Sequence, residues 1–516
     1  MFLEVFVTFF VSPSARLFLL LAASAAVATA WLVVQVVSSI AMSPSARLLL
    51  LLAASAAVAT ATGSATDNKA LTAPLTVDER DAMISNFVDI VQVDSESSDS
   101  PGAAGVPSTD GQRTLAVMLG DVLPWPRVEV DELGCMHGVI SGRDGAPAVA
   151  MLAHVDTSPQ FTGAGVRPLV HRDWDGSPIM LPHGDRPILD PRQMPALQRV
   201  AGLNDTIITS SGDTLLGADD KSGISLLLAV ARRLLSLPQE QRGATVEFVF
   251  NTDEEIGLLS AQKLKFLTEG VVASYTFDGE TFAQVDTETW HAEGCQLFVT
   301  GVSVHPGYSF GTMVNAVALA ANFISEIHNG AEAAPMAVGT PRTTGGPGSE
   351  RSGFVHVLSV HGDVGSATVP FILRDFSVSG VAARRAFVDE ALSRVRANAP
   401  RGASFNMSCS TTYQNMKGVL DRSPLVVEHA VEAVKRATGV SSVGQGAIRG
   451  GTDGSVLTLR GKPTPNIFAG WHEAHGPKEW ASATEMVLAA QTALHLIALW
   501  GQQEARTHAT QSAAEL

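Results

Sequence analysis

Thr245-Val-Glu-Phe-Val-Phe-Asn-Thr-Asp-Glu-Glu-Ile-Gly257 is the stretch on which the fold turns. Its β-branched and aromatic residues predict a buried strand. The strand then runs into three acids, Asp253, Glu254 and Glu255, and a glycine. Two readings are open for those acids. They can begin the next helix, where negative charge suits the positive end of the helix dipole. Or they can serve chemistry, because carboxylates crowded at a strand end repel each other unless a cation sits among them or one holds a proton.

Other segments end in the same way. Val149-Ala-Met-Leu-Ala-His154-Val-Asp156 is an apolar run closing on His-x-Asp. There the Asp can take the proton of one imidazole nitrogen and leave the other nitrogen free for a metal. Leu215-Leu-Gly-Ala-Asp219-Asp220-Lys221 precedes an apolar helical run, Ile224 to Ser236, and the bland reading of its acids is a helix cap. Tyr275-Thr-Phe-Asp278-Gly279 ends in what alone is only a turn signal. Trp471-His472-Glu473-Ala474-His475-Gly476 supplies histidines far downstream. Each is weak alone; together they describe one His and carboxylate site.

From about Val77 to Asp278, strand-like and helix-like runs alternate, which predicts an α/β fold with a mostly parallel sheet. Ligand sites of such sheets gather at the carboxyl ends of the strands, where these acids and His154 fall. Beyond Cys295 the texture changes. An alternating strand, a His305-Pro-Gly turn, a helix from about Val314 to His328, a Gly/Pro-rich stretch (339–353), strands at 354–360 and 368–374, and a helix from Val381 to Asn398 predict a small inserted α+β domain. The α/β texture resumes after Tyr413. The expected division is a leader and linker (1–70), a catalytic domain in two parts (77–292 and 413–501), the insertion (293–412) and a polar tail (502–516).

A chain with 46% hydrophobic residues has material for sizeable cores, and a net charge of −16 argues against nucleic acid or an anionic membrane surface as partner. Cys135, Cys295 and Cys409 make no CxxC site and leave room for one bridge at most. A metal here is therefore bound by His and carboxylate, which suits Zn, Mn or Co. The N-terminal region repeats itself: SPSARLFLLLAASAAVATA (12–30) returns as SPSARLLLLLAASAAVATA (43–61). Each copy has signal-peptide anatomy, and Met42 directly precedes the second, so both Met1 and Met42 stand as candidate starts. Leu17 to Met42 is apolar and long enough to span a bilayer, which makes it the only expected membrane contact, but a cleaved leader is the preferred reading over a permanent anchor.

The phrases Ala153-His-Val-Asp-Thr-Ser158, Leu215-Leu-Gly-Ala-Asp-Asp-Lys221, Thr252-Asp-Glu-Glu255, Val304-His-Pro-Gly307, Ile372-Leu-Arg-Asp-Phe376 and Ile448-Arg-Gly-Gly-Thr-Asp-Gly454 resemble those of the peptidase T (tripeptide aminopeptidase) family of di-zinc exopeptidases, relatives of aminoacylases and carnosinase-like dipeptidases. The resemblance covers roughly residues 80 to 500. It implies a catalytic domain split by a lid that also forms a homodimer, two zinc ions per subunit and short peptides as substrates. By resemblance His154 binds one zinc, His475 the other, Asp219 bridges both, and Glu255 and Asp278 complete the shells. Asp156 orients His154, Glu254 is the general acid/base, and His305 stabilises the oxyanion in the partner's site. Arg374, Arg449, Thr452 and Asp453 hold the peptide, and the Asp219-Asp220 bond is a non-proline cis peptide.

Some positions depart from the family pattern. Gly-Pro-Lys-Glu479 replaces the usual Gly-Lys-His-Glu, and His472 competes with His475 for the ligand role. A signal-like leader is unusual for a family found in cytoplasm, so both a lumenal or secreted and a cytoplasmic location stay open. The expected function is release of the N-terminal residue from short peptides. The alternatives are a dipeptidase, carboxypeptidase or N-acyl amino acid amidase on the same scaffold, and, least favoured, a catalytically dead membrane-tethered binding protein.

Overall fold

The computed structural model describes residues 69–98, 105–329 and 351–503. The duplicated leader, most of the Gly/Pro-rich stretch and nearly all of the polar tail lie outside the described residues.

The main sheet is built from β1 (Arg127–Val130), β2 (Met136–Ile140), β3 (Ala148–His154), β4 (Thr245–Asn251), β5 (Val271–Gly279) and β6 (Gln284–Thr289). Two later strands join it, β11 (Gly444–Ile448) and β12 (Asn466–Phe468). The spatial order is β1-β2-β4-β3-β5-β12-β6-β11. At its centre β4, β3, β5 and β12 run parallel, and β6 pairs antiparallel with β12.

Why β3 and β4 read as unbroken apolar runs is now plain, because both faces of the sheet are covered. Val149, Met151, Val246 and Phe248 face the larger core. Their neighbours Ala150, Leu152 and Val249 face a smaller one. Each such buried Val, Leu, Met or Phe side chain contributes roughly 1.5–3 kcal/mol. The helices on the larger-core side are α1 (Val77–Val91), α3 (Ala218–Ser236), α6 (Pro424–Thr438) and α8 (Ala483–Gly501). Helix α8 is long and apolar enough to cross a membrane, but 78% of its apolar window is buried, so that apolarity is spent in the core.

The first two helices start in different ways. α1 begins at Val77, where Thr76 and Glu79 form a capping box. α2 (Asp110–Asp121) has Thr109 at its N-cap, yet that hydroxyl donates to the Glu96 carbonyl (2.8 Å) rather than capping the helix.

One residue after β6 the chain enters a second, antiparallel sheet. Its strands are β7 (His291–Thr300), β8 (Phe354–Val357), β9 (Ser366–Asp375) and β10 (Ser404–Tyr413), in the order β8-β9-β7-β10, with His361–Gly362 also paired to β9. Two helices, α4 (Ala316–His328) and α5 (Val378–Ala397), pack on it. Leu297, Val299, Phe323, Val369, Phe371 and Leu392 form a core separate from that of the main sheet. Cys295 and Cys409 are directly opposed on β7 and β10 and form a disulfide. Cys135 stays free and buried. Helix α7 (Asp453–Leu459) links β11 to β12 of the main sheet.

Candidate metal centre

The carboxyl ends of β3, β4 and β5 present His154, the 252–255 segment and Asp278 side by side. Asp219 comes to them from the start of α3. There the bland reading of its sequence fails. The N-cap is Gly217 in the left-handed region, no side chain caps the helix, and Asp219 and Asp220 are themselves non-helical. The Asp219-Asp220 peptide bond is cis. Gly223, one turn on, lets this corner close, since any side chain there would collide with the Phe277 carbonyl and the Asp220 carboxylate.

The two oxygens of Asp219 face two different histidines. His154 Nε2 lies 3.0 Å from Oδ1 and 3.7 Å from Asp278 Oδ1. His475 Nε2 lies 3.3 Å from Oδ2 and 2.9 Å from Glu255 Oε1. His475 holds this position with a φ of +64°, a region costly for a non-glycine residue. His154, Asp219 and Glu255 can each place a ligand atom within 4.8 Å of the others, as can His154, Asp220 and Asp278. Asp220 is thus a candidate donor that the sequence reading left unassigned.

Asp156 is tied more firmly to backbone than to imidazole. Its carboxylate accepts the amide protons of Glu254 and Glu255, both at 3.1 Å. His154 Nδ1 is nearer the Asp156 carbonyl (3.0 Å) than its carboxylate (3.4 Å). One residue therefore sets the aim of both adjacent glutamates while seating the histidine.

The charge balance of these groups suits cation binding. Burial pushes the Asp278 carboxyl up to about 8, with Asp219 adding to the rise. Burial, with Asp278, Asp453 and Glu255 nearby, holds Glu254 well above the usual carboxylate range. Burial alone would lower His475, but contact with Asp219 and Glu255 raises it to about 11. Among the described residues no Lys or Arg pairs with these donors. Two imidazoles and several carboxylates, converging without a protein cation, fit hard or borderline divalent ions with N and O ligands. A third potential cluster, Glu293 with Cys295 and Cys409, is not a metal site here because its thiols are joined.

A cavity of about 360 Å³ opens beside the donors, lined by Asp219, Glu254, Glu255, Asp278 and His475 and walled further out by Asp286, Arg449, Thr452 and Trp471. Not every expected site residue reaches it. Arg374 Nη1 donates to the carbonyls of Glu293 and Leu373, and its guanidinium lies 5.5 Å from the Tyr413 ring centroid. Asp453 is buried and accepts from Asn251 Nδ2 at 2.6 Å. Neither lines the cavity. His305 is exposed, accepts from the Gly307 amide at 3.1 Å and lies against Tyr308. Among the described residues between 291 and 413, none is in the cavity wall.

His472, the rival of His475 in the sequence, lies away from the donors. It is buried, with Nε2 2.7 Å from Glu485 Oε2, and stacks on Trp480. Asp253 does point away from the metal donors, but not as a helix-start acid, since turns rather than a helix follow. It is buried with φ +55° and accepts from the Ser108 amide (2.7 Å), the Ser108 hydroxyl (2.6 Å) and Gln112 Nε2 (2.7 Å). It thereby ties β4 to the start of α2.

The sequence reading missed Glu479. Its buried carboxylate accepts from the amides of Leu216 (2.7 Å), Gly217 (2.8 Å) and Asp219 (3.0 Å), and so holds the corner that presents Asp219. Burial raises it to about 7. The only local signal was a charged residue directly before the apolar Trp480-Ala481.

Residues 216–499 match the model of peptidase family M20/M25/M40, and residues 136–279 also match that of peptidase family M28. Peptidase T of Geobacillus sp. (strain WCH70) is 33% identical over 429 residues, covering 82% of this chain and 100% of that protein. Peptidase T of Serratia proteamaculans (strain 568) is 34% identical over 431 residues, covering 82% and 99%. Among solved structures, a tripeptidase from Staphylococcus aureus subsp. aureus mu50 superposes with a TM-score of 0.60 at 19% identity, covering 82% of this chain and 99% of that one.

Proposed function

The chain belongs to peptidase family M20/M25/M40, and from that premise we propose that it is a two-metal aminopeptidase that releases the N-terminal residue of tripeptides. The observation that carries this reading is the placement of Asp219, one oxygen toward His154 and Asp278 and the other toward His475 and Glu255. His154, Asp278 and one oxygen of Asp219 would hold one ion; His475, Glu255 and the other oxygen would hold the second. Zinc suits this donor set, with manganese or cobalt as substitutes. Bound there, such ions would acidify a water and polarise the scissile carbonyl.

The protein's own groups supply the rest. Glu254 reaches the cavity but is absent from the metal-facing pairs, so it is the group free to take a proton from water and pass it to the leaving amine. Asp156 fixes the backbone at Glu254 and Glu255, which keeps proton carrier and ligand from exchanging places. Arg449 and Thr452 in the cavity wall would hold the peptide's carboxylate and backbone; the Thr452 hydroxyl is buried without a protein partner. Arg374 and Asp453 are engaged elsewhere and take no direct part in this scheme. His305 would act on the partner subunit's substrate in a homodimer formed through residues 291–413.

The test is metal content together with cleavage of a free tripeptide, its N-acetylated form and a dipeptide by protein starting near Thr62. Cleavage of the free tripeptide that stops with a chelator and returns with zinc is expected. Faster cleavage of the acetylated peptide would move the assignment to an amidase.

A further inference from the structure

The cavity extends beyond what the chemistry at the metal donors uses. Its far wall is formed by Gln284 and Asp286 on β6, Ala447 and Ile448 on β11, and Asn466 on β12. Asp286 is 6% exposed, and its Oδ1 accepts from Gln284 Nε2 at 2.7 Å. Among the described residues that neutral amide is its hydrogen-bond partner, and no cation pairs with it. A buried carboxylate without a counter-charge is costly. Its burial here is also built in. Gly446 stands opposite Asp286 in the register of β11, and any side chain there would collide with both Asp286 Oδ1 and Gln284 Nε2.

Sheet geometry says what can reach it. Asn466 pairs with Thr276 on one side and with Asp286 on the other. Asp286 therefore stands two strands across from β5, about 10 Å at the usual strand spacing. The α-amine of a substrate is only about 2.5 Å from the carbonyl carbon under attack, by bond lengths alone. It stays beside the metal donors and does not extend across two strands. The side chain of the first residue does extend, past Ile448 and Trp471, whose apolar surfaces suit a methylene stem. Resting on the aminopeptidase reading above, we propose that Asp286 is a specificity-determining carboxylate that receives the basic side chain of an N-terminal Lys or Arg. Glu280 at the cavity rim and the net charge of −16 add attraction for such peptides.

The experiment compares kcat/KM for Lys-Gly-Gly with that for norleucyl-Gly-Gly, which has a stem of similar length and no charge, on the metal-loaded full chain. The wild type should favour lysine by about tenfold or more, as a hydrogen bond to a charged group implies, and Asp286→Asn should bring the ratio close to one. A ratio unmoved by Asp286→Asn overturns the proposal. So does an equal loss on both peptides, which would place the α-ammonium at Asp286 instead. If Asp286→Asn does not fold, the wild type decides: acetylating the substrate's lysine Nε should lower kcat/KM to the norleucyl value, and no change overturns the proposal. Failure to cleave either peptide would count against the aminopeptidase reading, whereas cleavage without preference counts against Asp286 alone.

Discussion

The main sheet and the antiparallel module spend their polar residues in opposite ways. At the ends of β3, β4 and β5, polar groups are buried, crowded and mostly of one charge, and a left-handed histidine and a cis Asp-Asp bond occur among them. In the module the two expected site residues are exposed or satisfied locally. His305 caps its own turn, and Arg374 bonds carbonyls of its own sheet. The module has its own core, and none of its described residues is in the cavity wall. The uncompensated charge that two-metal chemistry would need is thus concentrated at the ends of the main sheet's strands.

The sharpest way to break that contrast is at the donors themselves. Asp219→Ala should lose both metal and turnover. Glu254→Ala should keep its metal while kcat falls by about 10²–10⁴, the usual worth of a positioned acid or base. Metal analysis beside steady-state kinetics separates the two, and near-normal turnover by Glu254→Ala would falsify the assignment. Next in size is His305→Ala, expected to lower kcat by about 10²–10³ with metal content unchanged. Mixing that variant with Glu254→Ala subunits should restore part of the activity if the histidine works across a dimer. No recovery on mixing would remove His305 from the partner's reaction.

The smallest effect concerns the main sheet's packing alone. Arg233 ties Glu79 at the start of α1 to α3 (2.6 Å), and that contact holds the Glu79 carboxyl down at about 2. A carboxylate depressed in the folded state stabilises the protein above its unfolded pKa of about 4.3 and loses that contribution as pH falls toward 2. Glu79→Gln should therefore cost about 1 kcal/mol near neutrality, after allowing for the partial exposure of the pair. The gap to wild type in thermal melts should narrow between pH 4.5 and 2. A constant gap would assign the loss to the capping box instead.

Much of the site was legible because chemistry left marks at strand ends. His154, Glu254, Glu255 and Asp278 each terminate a run whose apolar pattern is unmistakable, and a parallel sheet brings such ends together. What stayed hidden depends on contacts that cross the chain. Glu479 acts on backbone amides some 260 positions earlier, and no local pattern encodes that. Asp286 sits in a strand whose partners β11 and β12 arrive only after the whole module. Spacing does not separate His472 from His475, because what engages His472 is Glu485, one helix later. Arg374 drew notice through its motif, but a strand register fixes its guanidinium on carbonyls of its own sheet.

The first and last strands of the module, β7 and β10, lie side by side, and Cys295 and Cys409 join them across 114 positions. The chain therefore enters and leaves the module side by side. A protease that cuts once anywhere between those two cysteines opens a loop rather than releasing a piece. The nicked protein would run as two bands only after reduction.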